Sequence, residues 1–145
     1  IIHTEITDLA PMKGMKLERL LISNIKVKDF SPLRGMRLKD LDISGTEVQD
    51  LNPLKGMKLS DLNISHTKVK DLDPLKGMTL SDLDLEGTKV KDLSVLGGMP
   101  LESLKFALQN ITNGIDVIRN ISTLENINQM PAAEFWAKFD AGEFK

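Results

Sequence analysis

A 21-residue step runs through most of this chain, and it restricts the fold to a stack of similar coils. Pro11, Pro32, Pro53 and Pro74 stand 21 residues apart, with Val95 in the fifth place. The same step links Gly14, Gly35, Gly56, Gly77 and Gly98, and likewise Met15, Met36, Met57, Met78 and Met99. Leu20, Leu41, Leu62, Leu83 and Leu104 follow it, as do Ile22, Ile43, Ile64, Leu85 and Phe106. Val27, Val48, Val69, Val90 and Ile111 complete the apolar set. A unit this short cannot bury its apolar side alone. Stacking the units buries it in one continuous core, each coil touching only its neighbours.

Within each copy the local signals are also regular. Asp40–Ser44, Asp61–Ser65 and Asp82–Glu86 alternate polar and apolar residues, as half-buried strands do. Asp8, Asp29, Asp50, Asp71 and Asp92 precede a short Leu-x-Pro-Leu-Lys-Gly turn. An aspartate there accepts bonds from free N–H groups at the start of a helical turn, and proline wastes no donor in that first turn. The glycine that follows allows the chain to leave with a positive φ. These aspartates are therefore expected to be structural caps.

Each copy has the form L-x-x-L-x-I-S-x-T-x-V-x-D-L-x-P-L-K-G-M-x, which resembles the leucine-rich repeat in a short bacterial form. The resemblance extends from Thr4 to about Phe106. It implies an α/β fold, a right-handed solenoid or horseshoe. Its parallel β-sheet would form the concave face, and short 3-10 or helical turns the convex face. The family usually carries Asn at the ninth position, bonding the backbone of neighbouring coils. Here Thr4, Thr46, Thr67 and Thr88 occupy that phase, interrupted by Ile25 and Gln109. The hydroxyls are expected to maintain a weaker form of that ladder.

Residues 1–106 are read as the repeats, a truncated first one followed by about five coils, and 107–145 as an irregular last repeat with a helical C-terminal cap. Residues 113–120 have a helical pattern with Ile115 and Ile118 inward, and residues 124–127 suggest a final irregular strand. Pro131 opens a helix carrying Phe135, Trp136 and Phe139, with Gly142 near its end. These aromatic groups are expected to seal the last coil. This ending also resembles leucine-rich-repeat regions of bacterial multidomain proteins, some attached to kinase-like domains. At the other end, Ile1 falls in the strand phase of Ile22. The chain is therefore expected to be part of a larger protein, with upstream repeats or an intermolecular contact covering the Ile1–Thr4 edge.

Composition narrows the chemistry. Aromatic residues make up 4% of the chain, so the core must be aliphatic. Without cysteine there are no disulfides or thiolate sites, which fits either a cytoplasmic or a bacterial extracytoplasmic setting. No apolar run approaches the ~20 residues of a membrane span. A net charge of −2 disfavours nucleic acid as partner. His3 and His66 share a repeat phase but lie three coils apart, too far to hold one metal. Paired carboxylates near 5 Å suit a retaining glycosidase, but here they would lie on an open sheet without a pocket. No catalytic residues, cofactor or metal are expected.

The residues left for function lie on the concave face, to which every second strand side chain points. These are Arg19, Leu21 and Ser23; Asp40, Asp42 and Ser44; Asp61, Asn63 and Ser65; Asp82, Asp84 and Glu86; then Ser103 and Lys105. With strands ~4.8 Å apart, Asp40, Asp61 and Asp82 would form a like-charged row. The candidate partner surface is therefore Arg19, Asp40, Asp42, Asp61, Asn63, Asp82, Asp84 and Glu86, facing a protein or peptide with basic groups. Alternatives are a solvated face on a structural spacer, and weak calcium binding, although a straight ladder lacks the enclosing oxygens calcium needs. Rows of lysine on the convex side are read as solvated, or else as binding an anionic surface.

Overall fold

The computed structural model describes residues 6–144, and within them the repeat becomes a stack of coils. Each coil contributes one three-residue strand: β1 (Arg19–Leu21), β2 (Asp40–Asp42), β3 (Asp61–Asn63), β4 (Asp82–Asp84) and β5 (Ser103–Lys105). These pair in parallel and in strict repeat register, so Leu20, Leu41, Leu62, Leu83 and Leu104 stand side by side. All five are buried, and Val27, Leu33, Leu38 and their equivalents close the core behind them. The readings placed on Ile1, His3 and Thr4 lie outside the described residues.

Opposite the sheet, each coil makes a short 3-10 turn, such as Asn52–Leu54 and Asp73–Leu75. The preceding aspartates set it. Oδ1 of Asp8, Asp29, Asp50, Asp71 and Asp92 accepts the N–H two residues on, at 2.7–2.8 Å. In Asp29, the Ser31 N–H and then the Ser31 hydroxyl hold the carboxyl below its ordinary pKa, as expected for an acceptor used in its charged form. Gly77, like its equivalents, leaves the turn at a φ of about +75°.

The threonine row departs from the expected inter-coil ladder. Oγ1 of Thr46, Thr67 and Thr88 donates to the carbonyl of Ile43, Ile64 and Leu85 in its own coil, at 2.7–2.8 Å. A hydroxyl on a short side chain reaches back three residues more readily than across to the next coil. Backbone bonds join the coils instead, among them Lys68 N–H to Val48 O and Lys89 N–H to Val69 O.

The last elements are α1 (Ile115–Arg119), β6 (Asn126–Ile127), β7 (Met130–Pro131) and α2 (Ala132–Asp140). β6 extends the parallel sheet, but β7 runs antiparallel to it, so the sheet is not parallel throughout. Asn128 and Gln129 make that reversal possible, both at positive φ in a two-residue turn. Phe135 of α2 is 1% exposed and packs edge-on to Phe106, while Trp136 and Phe144 pack on Phe135. Arg119 clamps the two helices, pairing with Asp140 at 2.7 Å while lying over the Trp136 ring.

Candidate functional site on the concave face

A three-residue strand presents two side chains outward, one on either side of its buried leucine. A shallow groove of about 250 Å³ crosses these positions. Asp40, Asp42, Asp61, Asn63, Asp82 and Asp84 line it, with Leu21 at one end and Ser103 and Lys105 at the other. The structure thus brings six of the eight candidate residues into one surface.

Arg19 and Glu86 do not line that groove. Arg19 stands beside it and donates from Nε to Asp40 Oδ2 at 2.7 Å. Glu86 was expected to continue the concave row, but the chain has turned away before it. Asp84 Oδ1 accepts the Glu86 N–H at 3.0 Å, and Gly87 follows at positive φ. Glu86 instead faces a separate cavity with Lys105, Phe106, Gln109 and Gln129 at the C-terminal end. Ser65, at the equivalent turn position one coil earlier, is buried.

The two outward rows differ chemically. In the row of Asp42, Asn63 and Asp84, each Oδ1 accepts the N–H two residues on, from Ser44, Ser65 and Glu86. These side chains end their strands, and one oxygen of each is already committed, which in Asn63 is the only one. Lys105 Nζ also approaches Asp84 at 3.3 Å, and Asn63 Nδ2 reaches Asp42 at 3.4 Å.

The row of Asp40, Asp61 and Asp82 makes no such turn. Asp40 faces Asp61, and Asp61 faces Asp82, in adjacent strand positions. Arg19 holds the Asp40 carboxyl below its ordinary pKa. Asp61 moves the other way: reduced hydration raises it, as do the Asp40 and Asp82 carboxyls on either side. Neither Asp61 nor Asp82 pairs with a cation among the described residues.

Sequence reasoning missed one structural feature of the coil, the position directly after Ser23, Ser44, Ser65 and Glu86. Asn24, Gly45, His66 and Gly87 all have positive φ there, between 55° and 67°. The Asn24 side chain lies over Gly45, and the His66 imidazole over Gly87. The available signal was an alternation of Asn or His with Gly at one repeat phase. Among the described residues, no group of three or more His, Cys, Asp or Glu is arranged to hold a metal ion. No described helix is long and apolar enough to cross a membrane.

No protein-family profile matches the chain, and no curated protein matches it. Solved structures do. An internalin (inlF) from Listeria monocytogenes superposes with a TM-score of 0.66 at 24% identity, over 85% of this chain and 44% of that one. Internalin C2 of the same organism superposes with a TM-score of 0.57 at 20% identity, over 86% of this chain and 76% of that one. The chain thus spans under half the length of the first. The likeness establishes the leucine-rich-repeat solenoid fold.

Proposed function

We propose that this chain is a protein-interaction module that receives a basic segment of a partner protein or peptide along its concave face. The observation that carries this reading is the stacking of Asp61 on Asp82 in strand register, with neither in an ion pair among the described residues. Two carboxylates held side by side repel one another, and a lysine or arginine placed between them interacts with both. Arg19 and Lys105 already fill that role at the two ends of the surface, for Asp40 and Asp84. The middle is the part left for a partner. An internalin-like solenoid supplies a rigid sheet on which such a row keeps its spacing.

Titration with a lysine- and arginine-rich peptide tests this reading. Asp61→Lys/Asp82→Lys should weaken binding by roughly tenfold or more and flatten its salt dependence. Equal affinity in that variant, with folding intact, removes the concave face from consideration.

A second reading is a spacer or assembly element within a larger protein. It is favoured by Asp42, Asn63 and Asp84, whose polar atoms terminate strands. In that case concave substitutions are silent, while blocking the Ile1–Thr4 edge alters self-association.

A further inference from the structure

The segment that carries each coil from its 3-10 turn back to its strand bears two cations in three successive copies. They are Lys13 with Lys16, Arg34 with Arg37, and Lys55 with Lys58. All six are exposed, and none forms an ion pair among the described residues. Because the coils stack in strict register, the cations form two rows along the solenoid axis, repeating about every 4.8 Å. Lys76 extends one row by a further coil. The row then stops for a steric reason: Gly97 takes the next place, and Val117 of α1 packs over it.

Between the first two coils the rows border a groove of about 500 Å³, lined by Lys16, Arg34 and Arg37. Glu18 also reaches this groove, but Lys39 pairs with it at 3.2 Å. Space beside Gly14 and Gly35 is open, with no atom within 4 Å of where a side chain would begin. Among the described residues of this flank, Met15 is the one large apolar side chain that is exposed, which is few apolar anchors for a protein interface. It also lacks aromatic rings on which bases would stack, since Phe30 is buried and the other aromatic groups are at the C-terminal end.

We propose that this flank binds a linear, densely sulfated polysaccharide laid along the solenoid axis. Such a chain presents anionic groups in series without needing a pocket or stacking surface. Guanidinium groups at Arg34 and Arg37 match sulfate oxygens by paired hydrogen bonds. The site is independent of the concave carboxylates, which belong to the opposite charge class and a different side of the coil.

Heparin is the probe. The wild-type chain should bind it at low ionic strength, with affinity falling steeply as salt rises. Arg34→Glu/Arg37→Glu/Lys55→Glu should lose roughly tenfold or more, because three of the aligned cations are reversed. A charge-matched control, Lys68→Glu/Lys89→Glu/Lys91→Glu, alters the flank at the other end of the strands and should keep its affinity within about twofold. Retained binding in the first variant, or equal loss in the control, overturns the proposal. So does oligothymidylate or polyglutamate binding as tightly as heparin, since the flank would then read charge alone. Circular dichroism verifies the fold of each variant. If reversal prevents folding, the alanine triple at the same positions is read in the same way.

Discussion

Asp40 and Asp61 face each other across adjacent parallel strands, yet among the described residues only Asp40 forms an ion pair, with Arg19 Nε at 2.7 Å. The two carboxyls consequently shift in opposite directions, Asp40 down and Asp61 up from about 3.8. The raised pKa of Asp61 means that its favourable contribution is complete below the unfolded value. That contribution is lost as pH rises through the folded value, leaving net repulsion at neutrality. Asp40 does the reverse, contributing stability above the unfolded value that disappears as pH falls through its lowered one.

Asp61→Asn should therefore stabilise the protein at pH 7 by roughly 0.5 kcal/mol, solvent screening keeping the gain small. The gain should shrink or change sign below about pH 4. Urea unfolding at both pH values measures it. A variant less stable than wild type at pH 7 would contradict the account of the row.

Arg19→Ala should lower stability at pH 7, and the loss should shrink as pH falls through the lowered pKa of Asp40. A loss that does not change with pH would assign the effect to the packing of the arginine stem instead.

Gly87→Ala and Gly77→Ala both force alanine into positive φ, but only Gly87 has a neighbour in the way, the His66 imidazole. The strain alone costs about 1 kcal/mol, and the overlap should add about 1–2 kcal/mol at Gly87. Adding His66→Gly should recover much of that excess. Thermal melts of the single and double variants decide the matter, and equal losses in the two single variants would exclude a role for the ring.

The only tryptophan, Trp136, lies in the C-terminal cap, so its fluorescence reports that region alone. Removing the Arg119 clamp by Arg119→Ala should weaken the cap by about 1 kcal/mol. The fluorescence transition should then precede the circular-dichroism transition of the coils. Coincident transitions at the wild-type midpoint would show that the clamp contributes nothing local.

Much of this molecule was legible because a repeat states each local rule several times. Leu20, Leu41, Leu62, Leu83 and Leu104 gave the register of the sheet, and Asp29 with Ser31 the capped turn. Legibility failed where one residue type serves two geometries. Asp42 and Asp61 look equivalent as outward strand positions, but Asp42 bends back to Ser44 N–H and Asp61 does not. The sequence also gave no sign that Thr67 bonds Ile64 of its own coil rather than a neighbour. Nor did it show that the sheet ends in an antiparallel pair, because Asn128 and Gln129 lack the glycine that usually signals such a turn.

Periodicity by itself determined the stack of coils, the aliphatic core and the side of each strand that faces solvent, because those follow from spacing along the chain. Tertiary structure decided which solvent-facing groups remain available. That depends on the fraction of an ångström by which a carboxylate reaches a backbone N–H or a neighbouring cation. By that criterion Asp42 and Asp84 are partly committed to turns, Glu86 leaves the groove, and Asp61 and Asp82 remain on the concave face without an ion pair among the described residues.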